Sequence, residues 1–368
     1  MKKKIAIIGS GNAGCITALN FGYHGGSMFE IDMYHDPNVP IERVGQGTTV
    51  NTTGLIARSL NWDWWSNQID ATVKTGILYE NWGKKQDYIF HRFLNGSIAV
   101  HYVPNSFSKA VRESKYVNII EKTVENPESE IDADWIFDCR GKSHNNYDEY
   151  ETLTNPLNAV ILSRKEGKDP NLLHTRCVAT PDGWTFVIPN IDSVSYGYLY
   201  NNTITTKEEA KENFIDLFDV VPDGELTFKN YIAKSMWHGE RTILNGNRYS
   251  FIEPLEATST SIYRDIAGHA WDHIVDGLPK ELLNQGVRKK VKRIETFLLW
   301  HYQSGSKYDT PFWKYAKSLD FTPDNDFMEY LNSSVSSSYE QLCDFSSEFE
   351  EYGQWPRLSF KNWFDGTV

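Results

Sequence analysis

The feature of the chain that most limits its fold is an apolar segment that runs directly into a glycine-rich turn. The apolar residues IAII at positions 5–8 are followed by GSGNAG at positions 9–14, which has the pattern GxGxxG. Beyond the turn, Ala13, Ile16 and Asn20 recur at the spacing of one helix face. A strand, this turn and a helix, in that order, form the context in which the pattern indicates dinucleotide binding.

Such a turn holds a pyrophosphate on backbone N–H groups at the positive end of the helix, because its glycines keep side chains out of the way. The predicted cofactor-binding residues of the turn are Gly9, Gly11, Asn12, Ala13 and Gly14. An acidic residue at the end of the second strand normally holds ribose hydroxyls, and here the candidates are His35 and Asp36. NAD and FAD share this fingerprint, and a structural turn without a ligand is the alternative.

The rest of the chain predicts an α/β fold in which strands alternate with helices. Positions 29–36 and 132–141 read as strands, and positions 107–126 read as a helix followed by a strand. Alternation of this kind predicts a doubly wound parallel sheet. Aromatic-rich alternation over 154–236 then predicts an inserted antiparallel β-sheet, and helical spacing from about Gly268 predicts a C-terminal helical lobe.

These patterns suggest a division into three parts. We predict a discontinuous dinucleotide-binding module over 1–153 and 237–285, an antiparallel sheet facing the substrate over 154–236, and a helical lobe over 286–368. The polar segment 141–155 is the expected linker between the sheets, and the Ser-rich segment 333–341 is an expected loop and helix cap.

Composition excludes several classes of partner. The net charge is −12, and the short basic run at 288–293 is typical of a solvated helix face, so nucleic acid is not expected. The apolar run at 5–8 is shorter than the core of a signal peptide, about 7 to 15 residues, and no segment is long enough to span a bilayer. The cysteines at 15, 139, 177 and 343 indicate neither a metal site nor a disulfide framework. We therefore expect a soluble, cytoplasmic protein.

Aromatic residues are unusually frequent: 12 Trp, 20 Tyr and 19 Phe make up 14% of the chain. This surplus predicts aromatic side chains lining a cavity that stacks an aromatic ligand, with large core or interface aromatics as the alternative. It is also compatible with self-association into a homo-oligomer.

Six landmarks identify a resemblance. They occur in family order at 42–49 (ERVGQGTT), 73–82 (VKTGILYENW), 138–143 (DCRGKS), 183–189 (GWTFVIP), 250–262 (SFIEPLEATSTSI) and 301–313 (HYQSGSKYDTPFW). From about Ile5 to Tyr315 the chain resembles the flavin-dependent halogenases of the tryptophan-halogenase type. It is similar to the short, viral-like members, and the missing length is expected in the C-terminal substrate cap.

The resemblance implies an activity. Such enzymes receive reduced FAD from a separate flavin reductase and use O2 and a halide to make hypohalous acid. The acid passes through a short tunnel to a lysine, where an electron-rich aromatic small molecule is halogenated. The dinucleotide-binding module is then an FAD-binding module, and a larger, more easily oxidised halide is our hypothesis for this chain.

The resemblance also implies site residues. Lys74 matches the catalytic lysine and Glu256 the nearby catalytic glutamate, while Thr258 and Ser259 match positions that bind halide through backbone N–H groups. Without the resemblance, Lys74 reads as a surface lysine. Likewise, Glu256 reads as a first-turn helix residue, and Glu253 is an alternative to it.

Two further groups of residues follow from the resemblance. Gln46 and Gly47, where the family commonly has Glu-Ala, and Thr260 are implied flavin contacts. The implied barrier between flavin and substrate is formed by Trp184, Phe186, Ile188 and Pro189, with Phe186 standing where the family has a second Trp. Alternation alone would make Trp184 and Phe186 core residues on one strand face.

Two other functions fit the same residues. A single-component FAD-dependent aromatic monooxygenase would share the fold, although it has no need of Lys74 or of the barrier. A non-enzymatic flavin-binding protein would use the aromatic surplus as an interaction surface.

Overall fold

The computed structural model describes residues 2–62, 67–141, 149–169, 172–343 and 351–368. The chain divides into two compact units. Unit 1 comprises Met1–Ala71, Val100–Thr152 and Tyr231–Lys289, and unit 2 comprises Thr72–Ala99, Leu153–Asn230 and Lys290–Val368. The three-part division expected from the sequence stays a prediction.

The strands are, in chain order, β1 Lys3–Ile8, β2 Phe29–His35, β3 Gln46–Gly47, β4 Thr72–Lys74, β5 Gly76–Glu80, β6 Tyr88–Arg92, β7 Ala99–Tyr102, β8 Asn118–Glu121, β9 Trp135–Asp138, β10 Tyr150–Thr152, β11 Ala159–Glu166, β12 Thr175–Thr180, β13 Gly183–Pro189, β14 Ser193–Tyr200, β15 Pro222–Thr227, β16 Tyr231–Ala233, β17 Trp237–His238, β18 Thr242–Leu244, β19 Ser250–Phe251, β20 Glu351–Tyr352 and β21 Trp355–Pro356. The helices are α1 Asn12–Gly25, α2 Val50–Leu60, α3 Pro104–Arg112, α4 Pro127–Glu130, α5 Lys207–Phe218, α6 Ser259–Ile274, α7 Lys280–Ser304, α8 Pro311–Ser318, α9 Asn325–Ser336, α10 Tyr339–Leu342 and α11 Arg357–Thr367.

Unit 1 contains a six-stranded sheet in the order β17-β18-β9-β1-β2-β8. All its neighbouring pairs are parallel except β17 with β18. Strand β1 lies near the centre, where Ile5 to Ile8 are fully buried, as expected for an apolar strand of a parallel sheet. The predicted α/β fold with a parallel, doubly wound sheet is confirmed.

Unit 2 contains a seven-stranded sheet in the order β15-β11-β14-β13-β12-β5-β6. Five of these strands, β11 to β15, fall within the segment predicted to be antiparallel, and they pair in that way. The sheet continues through β5 and β6, because β12 pairs with β5 in parallel.

Much of the aromatic surplus forms the core of unit 2. The buried Trp82 ring has ring contacts at 5.3 to 6.0 Å with Tyr79, Tyr302, Trp313 and Trp363. Its Nε1–H donates to the carbonyl oxygen of Cys177 at 2.9 Å. Edge-to-face packing of this kind stabilises a core beyond simple burial. The alternative interpretation of the surplus, large core aromatics, therefore applies to this cluster.

The structure locates two segments singled out in the sequence: the basic run lies on a helix and the Ser-rich segment contains a helix cap, as expected, but residues 333–336 are helical and do not form the expected loop. The Ser-rich segment is helical as far as Ser336, where α9 ends, and Ser338 then caps α10 with a capping box. The basic run lies on α7, where Arg288 contacts Glu151 and Arg293 contacts Asp326 in ion pairs. Positions 142–148 of the expected linker lie outside the described residues, and β10 lies within its second half. None of the described helices is both long and apolar enough to cross a membrane.

Glycine 197 makes room for an aromatic ring in the middle of the unit 2 sheet. Gly197 of β14 stands opposite Phe186 of β13. A Cβ atom at Gly197 would lie 2.1 Å from Cζ of Phe186, which is far inside van der Waals contact. The ring of Phe186 therefore occupies the space that a side chain at position 197 would need.

We expect Gly197→Ala to lower the free energy of unfolding by about 2 kcal/mol, because the added methyl group must displace the Phe186 ring. Urea unfolding followed by tryptophan fluorescence measures the change. Gly224→Ala in β15 is the matched control, since its Cβ would meet Leu162 atoms only at 3.6 and 3.7 Å. Equal stability of the two variants would contradict the proposed overlap.

Candidate active site

Unit 1 has a cavity at the carboxyl ends of its parallel strands, the position at which doubly wound sheets bind ligands. Its volume is about 300 Å³. The glycine turn, the end of β2, the segment after β8 and the segment after β9 all contribute to its walls. The lining residues are Ile8, Gly9, Ser10, Gly11, Asn12, Ala13, Tyr34, His35, Asp36, Val39, Pro40, Ile41, Glu42, Lys122, Thr123, Val124, Cys139, Arg140, Gly141, Gly246, Asn247 and Tyr263.

The three glycines of the turn have three different surroundings. Gly9 has φ of +102°, and a Cβ there would lie 2.8 Å from the carbonyl oxygen of Cys139. A Cβ on Gly14 would lie 1.9 Å from the carbonyl oxygen of Gly9, so helix and strand pack too closely for any side chain. A Cβ on Gly11 would meet nothing within 4 Å. Gly11 therefore borders open space, as a backbone cradle for a phosphate requires.

Helix α1 presents its first amides to this cavity. Its N-cap residue is Gly11, which has no side chain to accept their hydrogen bonds, and no acidic residue lies in the first turn. The first amides of a helix have no partner within the helix and carry its positive partial charge. The turn is thus suited to an anion such as a pyrophosphate.

His35 and Asp36, the two candidates at the end of β2, both line the cavity. His35 Nδ1 lies 2.8 Å from Ser10 Oγ, and burial together with the Arg112 charge lowers the pKa of this imidazole. Asp36 accepts hydrogen bonds from Thr123 Oγ1 and from the Asn38 amide, and these bonds lower the pKa of its carboxyl group. At neutral pH, Asp36 is a charged acceptor at the place where a ribose hydroxyl is normally held.

A buried ion cluster stabilises the far wall of the cavity. The carboxylate of Asp138, at the end of β9, accepts hydrogen bonds from Nε and Nη2 of Arg140 at 2.9 and 2.8 Å. It also forms an ion pair with Arg248, whose Nε lies 2.9 Å from Oδ2. Burial raises the pKa of Asp138, but the hydrogen bonds from Arg140 and the Arg248 charge outweigh it, so the net pKa is lowered. Arg140 also donates to the carbonyl oxygens of Val124 and Glu125, which fixes the segment after β8.

Several lining residues were not predicted from the sequence. Lys122, Thr123 and Arg140 follow directly on β8 and β9, so the rule that ligands bind at strand carboxyl ends would have found them. Glu42 gave no such signal, because it lies on an irregular loop. Among the predicted cofactor residues, Gln46, Gly47, Gly14 and Thr260 lie outside this lining.

A strained turn precedes helix α6 in the same unit. Glu256 and Ala257 have φ of 70° and 53°, and Thr258 returns to the right-handed region as the N-cap. Left-handed backbone costs a non-glycine residue about 1–2 kcal/mol, and such strain is concentrated at functional sites. Glu256 lies in a three-residue 3-10 segment, Leu255–Ala257, that follows Pro254, but its own φ and ψ are not helical, and α6 begins only at Ser259.

The backbone of this turn changes hand between Ala257 and Thr258. Turns of this kind can bring successive N–H groups together as an anion-binding concavity, although the amide of Ala257 itself donates to the carbonyl oxygen of Pro254. The first amides of α6, including that of Ser259, add to it. The Glu256 side chain is only 7% exposed, and Thr258 is fully buried. Glu253 is fully buried as well, and its carboxylate accepts from the amide of Leu255 at 3.1 Å.

Lys74, in unit 2, is the last residue of β4 and is 1% exposed. Its Nζ lies 5.7 Å from the centroid of the Phe93 ring, within cation–π range. The surface interpretation of Lys74 is therefore wrong. Ammonium groups are rarely buried to this extent, because desolvation costs several kcal/mol unless other groups compensate for it.

The predicted barrier residues lie on β13, the most deeply buried strand of unit 2. Trp184 and Phe186 are 0% and 6% exposed, and their ring centroids lie 6.3 Å apart on one face of the strand. Ile188 and Pro189 are buried as well. The indole N–H of Trp184 has no hydrogen-bond partner among the described residues. The two aromatic side chains thus pack in the interior of unit 2, which fits the alternative that they are core residues and leaves the barrier a prediction.

Comparison with known proteins gives consistent results. The family described as "Tryptophan halogenase" matches residues 4–117 and 105–352. Tryptophan 7-halogenase RebH of Lentzea aerocolonigenes is 24% identical over 424 aligned positions, which cover 86% of this chain and 79% of that protein. Tryptophan 6-halogenase ThaL of Streptomyces albogriseolus is 29% identical over 164 positions, covering 42% of this chain and 30% of that protein.

Solved structures share the fold. MibH, described as a lathipeptide tryptophan 5-halogenase, superimposes with a TM-score of 0.83 at 17% identity, covering 100% of this chain and 86% of that one. Tar14, described as a tryptophan C-6 flavin-dependent halogenase, gives a TM-score of 0.82 at 18% identity, covering 100% and 90%. Because the family match spans most of the sequence, the chain belongs to the tryptophan halogenase family of flavin-dependent enzymes.

Proposed function

We propose that this protein uses reduced FAD, O2 and a halide to make hypohalous acid, which Lys74 relays to an electron-rich aromatic small molecule. The observation that carries the proposal is the burial of Lys74 at 1% exposure, in a chain that belongs to a halogenase family. A buried lysine is costly as a purely structural residue, and its reactivity is readily tuned by its surroundings.

The lining of the unit 1 cavity is suited to the ADP part of FAD. Gly9, Gly11 and the first amides of α1 would hold the pyrophosphate, and Asp36 would accept from a ribose hydroxyl. When bound in its reduced form, FAD would supply with O2 the two-electron oxidising power that turns a halide into hypohalous acid. Gln46, Gly47 and Thr260 remain proposed flavin contacts on the basis of the family resemblance.

The residues of this chain then control where the oxidant reacts. The amides of Thr258 and Ser259 would hold the halide, which the anion-binding geometry of the turn supports. Trp184, Phe186, Ile188 and Pro189 would keep the organic substrate apart from the flavin, which their burial supports.

Two ionisable residues would carry out the transfer itself. The Lys74 ammonium would hold hypohalous acid by hydrogen bond, or its amine would carry the halogen. Glu256 would accept the proton that the halogenated ring releases. Its strained backbone and its low exposure support a functional role.

We also propose that a separate flavin reductase supplies the reduced cofactor and that the protein acts in the cytoplasm. The four cysteines, all of them in the described parts of the chain, are free thiols, which fits a reducing compartment.

Gly11→Ala should weaken FAD binding about tenfold or more, because the new methyl group points into the space proposed for the pyrophosphate. Titration of flavin fluorescence measures the dissociation constant. The fold should be unaffected, since a Cβ at position 11 meets nothing within 4 Å. The matched control is Gly268→Ala, another open position in unit 1, and equal FAD affinity in both variants would contradict the cradle.

Lys74→Ala and Lys74→Met should lose halogenation at least about a hundredfold while still binding FAD and oxidising reduced flavin. Methionine fills the buried space, so its loss of activity cannot be assigned to a cavity. Mass spectrometry of products from a panel of phenols and indoles measures halogenation, and oxygen consumption measures the oxidation of reduced flavin. Lys84→Ala at an exposed position of unit 2 is the control. Retained halogenation would reject Lys74, and hydroxylated products alone would favour a monooxygenase.

Chloride, bromide and iodide at equal concentration in one assay should yield mainly brominated or iodinated product. The reason is that larger halides are oxidised more easily than chloride. Mass spectrometry distinguishes the three products. A predominance of chlorinated product would overturn this expectation.

A further inference from the structure

A carboxylate projects into the same cavity that is proposed to hold the two phosphates of FAD. Glu42 lines the cavity, and its Oε2 accepts a hydrogen bond from Asn12 Nδ2 at 3.2 Å. Asn12 is the first residue of α1, directly after Gly11. Glu42 therefore contacts the first residue of the helix, beside the amides that would bind the anion.

The position of Glu42 is supported from two sides. Tyr102, which is fully buried, donates its hydroxyl hydrogen to Asn12 Oδ1 at 2.9 Å, so the Asn12 amide group is oriented with its Nδ2 toward Glu42. On the loop itself, Pro37 and Pro40 fix their φ angles and limit the freedom of the segment that carries Glu42. The contact thus follows from residues that lie outside the glycine turn.

The cavity has no spare positive charge to offset Glu42. Its two cationic lining residues, Lys122 and Arg140, are already paired with the carboxylates of Glu130 and Asp138. Among the described residues, Glu42 has no ion-pair partner. A bound diphosphate would therefore be attracted by the amides of α1 and repelled by Glu42.

We propose that Glu42 is an electrostatic brake that weakens FAD binding and speeds FAD release. The proposal rests on the proposed FAD site and adds a regulatory residue to it. If Glu42 stays in place, its carboxylate repels the doubly charged diphosphate and raises the free energy of the FAD complex. If Glu42 moves away when FAD binds, its hydrogen bond with Asn12 is lost, which also raises that free energy. Rapid release suits an enzyme whose reduced flavin is made elsewhere and must be exchanged at every turnover.

Glu42→Gln keeps the shape of the side chain and removes its charge. We expect it to lower the dissociation constant of oxidised FAD about three- to tenfold at low ionic strength, mainly through a slower release rate. The gain should shrink at about 0.5 M salt, where charges are screened within a few ångströms. Flavin fluorescence titration and stopped-flow release measure both effects without any turnover.

Two variants serve as controls. Glu42→Asp keeps the charge, and Glu30→Gln removes a charge at the opposite end of β2, so both should stay within about twofold of wild type. ADP and adenosine provide a further comparison. Glu42→Gln should tighten binding of ADP, which carries the diphosphate, and leave adenosine unchanged.

The outcomes separate this inference from the FAD site itself. Unchanged or weaker FAD binding by Glu42→Gln, or a gain that does not depend on salt, overturns the brake. Weaker binding would indicate that the carboxylate of Glu42 accepts a hydrogen bond from a hydroxyl group of FAD. Failure of wild type and variant alike to bind FAD or ADP overturns the proposed site and the brake together. Tighter binding by the variant, with sensitivity to Gly11→Ala retained, supports both.

Discussion

The close approach of helix α1 to the end of strand β1 is the constraint on which unit 1 depends. The carbonyl oxygen of Gly9 occupies the space that a Cβ atom at position 14 would need, so position 14 must be glycine. This contact also sets the distance between helix α1 and the sheet. That distance aims the first amides at the carboxyl ends of β2, β8 and β9. The chemistry proposed for the cavity therefore starts from a packing requirement, and the anion-binding character of the turn follows from it.

Asp138, Lys74 and Glu256 are all ionisable and buried. Asp138 accepts hydrogen bonds from Arg140 and forms an ion pair with Arg248, and Arg140 in turn donates to the carbonyl oxygen of Val124, so the charge of Asp138 has a structural explanation. Lys74 and Glu256 are buried to a similar extent, but Glu256 also carries left-handed backbone that a glycine would adopt at lower cost. Such backbone strain is frequent at functional sites, which supports the role proposed for Glu256.

The sequence predicted the features that depend on local pattern. Strand β1, the glycine turn and α1 follow from periodicity and from glycine placement, and the antiparallel strands follow from alternation. The pairing of β5 with β12 was not predicted, because it joins segments almost a hundred residues apart and leaves no local signal. Composition alone could not tell whether tryptophans line a pocket or pack a core, and the Trp82 cluster is assembled from residues that are distant in the chain. The position of Glu42 depends on an irregular loop and on Tyr102, so no motif could have revealed it.

The pairing of Phe186 with Gly197 ties the predicted barrier to a residue on another strand. Because the ring fills the volume above position 197, a side chain at that position must displace the ring and so lowers stability. A smaller residue at position 186 would remove this conflict and make substitution of Gly197 less costly. Positions 186 and 197 are therefore coupled, and a library that varies both would reach side-chain combinations that variation of position 186 alone does not.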